Sequence, residues 1–429
     1  MQHRIPVEEL GPAGPGMAAA VEACVHCGFC LSTCPTYLVL GEEMDSPRGR
    51  IYLMKQVLEG ELPLAGAVTE HLDRCLGCLA CVTACPAGVR YGELLTPFRA
   101  MRERGVPRPA LARWVRAVLL ATLPYPRRFR VAARLGAVAR RLPVPRWVPA
   151  SLRAMLELVP ESLPPARPLP ARIPAEGRRR ARVALLTGCV QQVLTPEINR
   201  ATARVLAANG VEVLVPPGQG CCGALALHAG AGEQAREQAT RTLEVFASLE
   251  VDAIVVNAAG CGSAMKEYHH VFAGSPHEGR ARALAERVRD VSEFLAELGP
   301  LPPGPLSRPA RVAYHDACHL AHGQGVREAP RRLLGAIPNV DLVELDEPEI
   351  CCGSAGIYNI EQPEVARQLQ ERKVESILRS GASIVATGNI GCLVQIAAGL
   401  RRRGTPVRVM HTMELLAEAY GAGAARAAG

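Results

Sequence analysis

Residues 24–35 read CVHCGFCLSTCP, four cysteines (Cys24, Cys27, Cys30 and Cys34) spaced C-x2-C-x2-C-x3-C and closed by Pro35. The run returns at residues 75–86 as CLGCLACVTACP, with Cys75, Cys78, Cys81 and Cys85 ahead of Pro86. This is the spacing with which thiolates hold [4Fe-4S] clusters, and in two-cluster proteins the fourth cysteine of each run ligates the other cluster. The pattern assigns Cys24, Cys27, Cys30 and Cys85 to one cluster, and Cys75, Cys78, Cys81 and Cys34 to a second. The competing assignment is a pair of zinc sites. Zinc ligands usually come as two short C-x2-4-C elements across a longer gap, whereas here four cysteines crowd into eleven residues.

The chain has 429 residues, enough for two or three domains, and its 48% hydrophobic content supplies substantial cores. Sixteen cysteines in a chain this long, with no signal-peptide pattern, suit a reducing cytoplasmic compartment better than a disulfide scaffold. The net charge of +8 is unevenly spread, because residues 101–182 hold 19 Arg and four Glu but no Lys or Asp. A basic segment therefore sits in an otherwise mildly acidic chain. Apolar runs such as 117–123 are far shorter than the roughly 20 residues a membrane span needs.

Taken in order, residues 1–20 are rich in Gly and Pro and read as a loose arm. Residues 21–105 form a helical two-cluster domain, with helix patterns at 48–58, 67–73 and 91–104. Residues 106–181 are a basic connector of amphipathic helices cut by Pro124, Pro126, Pro143 and Pro145, running into a Pro/Arg-rich linker at 160–180. Two readings of this segment stand: helices packed on the domains with arginines in solvent, or a surface lying on anionic lipid at the inner face of the cell membrane.

From residue 182 the pattern changes to strands alternating with helices, and then repeats. Strands at 182–187, 211–215 and 251–257 are answered by strands at 311–314, 340–345 and 382–387, which divides the remainder into units 182–300 and 301–429. The cysteines set the register. Cys189 corresponds to Cys318, Cys221 and Cys222 to Cys351 and Cys352, and Cys261 to Cys392, with offsets of 129 to 131. All eight fall near the carboxyl ends of strands, where open α/β sheets build their sites. Each set of four thiolates suits an iron-sulfur cluster, with zinc or a redox-active thiol pair as alternatives. His315, His319 and His322 surround Cys318, either as ordinary loop residues or as a ligand or proton carrier. Asp316 reads as a capping or solvated residue, and Arg48 and Arg50 lie near the first clusters.

The paired cysteines followed by glycine, with one lone cysteine upstream and another downstream, resemble the cysteine-rich (CCG) domain of heterodisulfide reductases, lactate-utilisation proteins and the anaerobic glycerol-3-phosphate dehydrogenase iron-sulfur subunit. Together with the two ferredoxin-type runs, the stretches ACVHCGFCLSTCPTY, DSPRGRIYLMKQVLEG, EHLDRCLGCLACVTACPAGVRYGELL and ICCGSAGIYNI resemble the glycolate oxidase iron-sulfur subunit family. That resemblance implies an α + α/β architecture, a helical two-cluster ferredoxin-like domain followed by a duplicated α/β CCG domain. It also implies an electron-transfer role beside FAD-containing subunits that oxidise glycolate to glyoxylate, with a quinone or another carrier as acceptor and no nucleic acid. This chain offers no dinucleotide motif in the required strand context and no catalytic residue for the oxidation itself. Heterodisulfide-reductase-type repeats end in C-x2-C, whereas Ala264 follows Cys261 and Gln395 follows Cys392 at that spacing. An ordinary four-thiolate cluster in each repeat, or in one of them, is expected over a non-cubane form for that reason. Rival assignments are a reductase acting on a disulfide or quinone at the repeats, the corresponding subunit of a lactate or glycerol-3-phosphate dehydrogenase, and a zinc-bearing scaffold.

Overall fold

The computed structural model describes residues 4–427 apart from Val144, Arg146 and Arg167, with side chains through Gly421; Arg146 and Arg167 of the basic segment and both chain ends lie outside the described residues. The N-terminal domain is helical, built on Pro47–Leu58, Ala67–Asp73 and Tyr91–Gly105. Pro47–Leu58 starts where Ser46 caps it, the Ser46 hydroxyl accepting the Gly49 N–H at 3.1 Å with Pro47 in the first turn. The expected loose arm is instead largely ordered. Gly14–Glu22 is a helix whose Met17 and Val21 are buried in one core with Leu94, Leu95 and Phe98. Pro15 lies in its first turn, where a missing N–H costs nothing, so the Gly/Pro count concealed an element.

A buried ion pair ties this domain together. Asp45, fully buried, accepts from Arg50 at 3.1 Å and Arg74 at 3.0 Å and lies 3.1 Å from His71 Nδ1. Arg50, also buried, donates to the Thr36 hydroxyl at 3.0 Å and the His71 carbonyl at 2.6 Å. The end of the first cysteine run, the helix after it and the helix before the second run are thereby held in one register.

The basic connector forms Ala110–Thr122, Pro126–Ala139 and Ala150–Leu158. Some of its arginines are tied to other parts of the chain. Arg108 bonds Asp73, and Arg116 bonds Glu103, Glu361 and the Ala229 carbonyl, fastening the connector to the N-terminal domain and to both repeats. Arg113, Arg127, Arg128, Arg134 and Arg141 face solvent. Within the linker, β1 (Arg172–Ile173) pairs antiparallel with β3 (Val211–Leu214), and buried Glu212 collects Arg172, Arg179 and Arg182.

The remainder is two α/β units of one topology. β2 (Ala181–Leu186), β4 (Ala253–Val256) and β5 (Val288–Asp290) join β3 in the parallel order β3-β2-β4-β5; β6 (Ala310–Tyr314), β7 (Val340–Val343), β8 (Ile384–Thr387) and β9 (Arg408–His411) repeat it as β7-β6-β8-β9. The two units share one apolar core. Val291–Leu298, closing the first unit, packs on Glu328–Gly335 of the second, and Thr412–Ala427, closing the second, packs on Glu197–Ala208 of the first.

Asp45→Ala strands the buried Arg50 charge and is expected to cost about 3–5 kcal/mol. Arg50→Met added to Asp45→Ala should then cost much less than the sum of the two single changes. Urea midpoints of anaerobically purified single and double variants check both statements.

Candidate metal centres

The two cysteine runs are wound in the same way. In the first, His26 (φ 54°) and Gly28 (φ 88°) are left-handed; in the second, Gly77 (φ 68°) and Leu79 (φ 63°) at the same places are too. Such conformations are strained for His and Leu, and they turn the loop around its own thiols. Arginines close each loop: Arg48 donates to the His26 carbonyl at 3.3 Å, and Arg99 donates to the Cys75 carbonyl at 2.6 Å.

The thiols line two hollows. One is bounded by Cys24, Cys27, Cys30, Cys81 and Cys85, and the other by Cys34, Cys75, Cys78 and Cys81 with Arg50 and Tyr91. Cys85 thus lies with the first run and Cys34 with the second. Cys27 is exposed, whereas Cys34, Cys75 and Cys78 are buried. Burial pushes Cys30 up to about 11 and raises Cys78, whose next cause is the thiol of Cys351 from the second repeat. Crowded, protonated thiols are what a soft metal or cluster would relieve by replacing the protons. All sixteen cysteines are free.

In the first repeat, Cys189 follows β2, Cys221 and Cys222 follow β3, and Cys261 lies in the first turn of Ala259–Lys266 after β4. Cys189 Sγ is 3.5 Å from Cys221 Sγ. In the second, Cys318 follows β6, Cys351 and Cys352 follow β7, and Cys392 opens Ile390–Arg402 after β8. The glycine after each pair does one job twice. Gly223 (φ 87°) and Gly353 (φ 86°) are left-handed, and an added Cβ would come within 2.7 Å of the Ala235 carbonyl oxygen and 2.6 Å of the Ala366 carbonyl oxygen. The leading cysteine of each pair is held low, Cys221 by the Cys189 thiol and Cys351 by the Cys318 thiol, each with help from the next cysteine. Cys392 is held down to about 5, chiefly by the Cys352 thiol. Their partners Cys189, Cys222, Cys318 and Cys352 are raised, chiefly by the hydrogen bonds they give to those thiols, so each set of four crowded sulfurs holds thiol beside thiolate, a donor set that fits a metal or iron-sulfur group in each repeat.

The second run is docked on the second repeat. His319 Nε2 donates to the Gly77 carbonyl at 3.1 Å, the Thr83 hydroxyl meets His322 Nδ1 at 2.7 Å, and Tyr358 Oη donates to the Arg74 carbonyl at 2.9 Å. Around them, Leu76, Cys78 and Ala80 share an apolar cluster with Cys351, Tyr358 and Leu369. The first repeat reaches the same junction through His228, whose ring meets His319 edge-on at 4.7 Å.

Of the histidines around Cys318, His319 and His322 have these partners, and Asp316 is paired with Arg331 at 2.7 Å. His315 is different: it is fully buried, no nitrogen or oxygen partner reaches its ring, and the group it faces is the Cys392 thiol, which it helps to hold down. Arg48 and Arg50 lie against the two hollows as expected from sequence. Arg99 and Tyr91, whose hydroxyl is 3.7 Å from Cys75 Sγ, were not anticipated. Their only sequence signal is a shared helix following the second run.

Comparison with known proteins agrees with this anatomy. Residues 20–89 match the family described as 4Fe-4S dicluster domain, and residues 183–266 and 312–397 each match the cysteine-rich domain, CCG. The chain is 38% identical to the glycolate oxidase iron-sulfur subunit of Escherichia coli (strain K12), over 93% of this chain and 94% of that one. It is 35% identical to the probable glycolate oxidase iron-sulfur subunit of Bacillus subtilis (strain 168), again over 93% and 94%. It is also 31% identical to lactate utilization protein A of Geobacillus kaustophilus, over 55% of this chain and 98% of that protein.

Tyr358→Phe removes one hydrogen bond across the junction and is expected to loosen it by about 0.5–1.5 kcal/mol. Faster amide hydrogen exchange confined to residues 74–83 and 354–362 would register the change.

Proposed function

Because this chain belongs to the glycolate oxidase iron-sulfur subunit family, we propose that it carries electrons within a glycolate-oxidising complex, from FAD-containing partner subunits towards a quinone or another acceptor. The observation that carries this reading is the unbroken succession of thiol sites, from exposed Cys27, through the hollow of Cys34, Cys75, Cys78 and Cys81, to Cys351 in the second repeat. Iron-sulfur clusters bound along that line supply one-electron steps. The protein's own part is to fix their spacing and surroundings.

Cys24, Cys27, Cys30 and Cys85 hold one [4Fe-4S] cluster in this proposal, and Cys75, Cys78, Cys81 and Cys34 the second. The separate hollows, with Cys85 in one and Cys34 in the other, support the exchange of fourth ligands. Cys189, Cys221, Cys222 and Cys261 hold a further iron-sulfur group, and Cys318, Cys351, Cys352 and Cys392 another. Exposed Cys27, flanked by exposed Val25 and Phe29, makes the first cluster the natural meeting point with a partner subunit. Ala264 and Gln395 stand where a fifth thiol would be, which weighs against disulfide chemistry at the repeats.

The connector is the proposed contact with the inner face of the membrane. No helix among the described residues is long and apolar enough to cross a bilayer. Val131, Leu135 and Val138 nevertheless form an exposed apolar stripe, continued by Leu142 and by Trp147, which is 82% exposed. Exposed Arg127, Arg128, Arg134 and Arg141 fall in the same stretch of chain, the composition of a surface that lies on anionic lipid.

Anaerobic purification should give about sixteen iron per chain, and about eight iron with zinc would replace the repeat clusters by zinc sites. Added to the flavin-bearing subunits of its host, the chain should restore glycolate-dependent dye reduction; failure to bind a flavoprotein and to restore it refutes the glycolate assignment. Cys34→Ala should abolish the signal of the cluster held by Cys75, Cys78 and Cys81, and loss of the other signal alone would refute crossed ligation.

Wild-type protein should float with phosphatidylglycerol vesicles and not with phosphatidylcholine. Leu135→Glu with Val138→Glu should weaken that binding at least about tenfold, from the apolar area lost.

A further inference from the structure

The two repeats match in strand order, in cysteine placement and in the glycine after each pair, but not at the residue three positions before the lone cysteine. In the first repeat this is Leu186, buried in an apolar cluster with Cys222. In the second, at the same offset from the lone cysteine, it is His315.

A buried imidazole with no nitrogen or oxygen partner, facing only sulfur, is costly, and natural structures rarely tolerate one without a function. The backbone leaves His315 no freedom to leave its site, since its N–H donates to the Ala386 carbonyl at 2.9 Å and continues the β6–β8 pairing. One imidazole nitrogen lies within 4.8 Å of both Cys352 Sγ and Cys392 Sγ, and all three residues are buried. The neighbouring histidines do not compete, because the Gly77 carbonyl engages His319 and Thr83 and Arg327 engage His322. Nor does Gln395, whose amide oxygen takes the Asn359 amide at 2.9 Å.

We propose that His315 is a nitrogen ligand of the group held by the second repeat, so that this site offers an imidazole beside its thiolates while the first offers thiolates alone. The proposal rests on the reading that the repeats carry iron-sulfur groups. Imidazole is neutral, so where it stands on iron in place of one of the four thiolates the group carries one negative charge fewer, the exchange that raises the potential of clusters in which histidines replace cysteines. His315 would then make the second repeat, already the one docked on the second run, the more readily reduced of the pair.

The test uses the full chain, grown with 15N-histidine, purified anaerobically and examined by pulsed EPR in the reduced state. The expected result is a strong nitrogen hyperfine coupling that changes isotope with the label, vanishes in His315→Gln and survives in His319→Gln. A redox titration should also show one signal shifted to lower potential in His315→Cys, with the N-terminal cluster signals unmoved. About sixteen iron per chain with no label-sensitive coupling in the wild type, or a coupling that persists in His315→Gln, overturns the role of His315 alone. About eight iron per chain overturns the cluster reading of the repeats and the ligand with it. Absence of the coupling in the labelled wild type overturns the ligand even if His315→Gln fails to fold, and His315→Cys then serves as the variant in which the coupling must vanish.

Discussion

One buried carboxylate, Asp45, sets the register on which the N-terminal domain depends. It takes up Arg50, Arg74 and His71, and Arg50 in turn reaches Thr36 and the His71 carbonyl. Cys34 Sγ itself lies 3.6 Å from the Asp45 carbonyl. The same short stretch therefore places the last cysteine of the first run against the hollow formed by the second. An ion pair this deeply buried adds little net stability over an apolar substitute, and its value lies in permitting one arrangement of the chain and no other.

From that domain the order continues into the repeats. Side chains of the second repeat grip the second run at the Gly77 carbonyl and the Thr83 hydroxyl, and the residue before it at the Arg74 carbonyl. These bonds fall on the cysteine-bearing loops themselves, so the separation of the two sulfur sets is fixed by rigid, local contacts. The connector reinforces this from outside, with Arg116 bridging Glu103 of the first domain and Glu361 of the second repeat.

Much of this was legible in the chain. Spacing gave both runs; cysteine offsets gave the duplication; periodicity located Pro47–Leu58 and Tyr91–Gly105 closely. The fourth strand of each unit escaped notice because Val288–Asp290 is too short to show alternation and Arg408–His411 begins on a charge. The helix Gly14–Glu22 was masked by its own glycines and proline. His315 could be seen only as one of three histidines near Cys318. What separates it from His319 and His322 is that those two find partners on residues distant in sequence, which no local pattern encodes.

The shared core of the repeats has a further consequence. Because the closing helix of each unit packs on the other, a single unit would expose Val291, Leu295 and their neighbours, and would bury them most simply against a copy of itself. That assembly would be a symmetric dimer with two identical sulfur sites. Covalent fusion is what allows the halves to diverge while keeping the interface. It permits leucine three positions before one lone cysteine and histidine before the other, and it gives the N-terminal domain a single seat where a symmetric ancestor would have offered two.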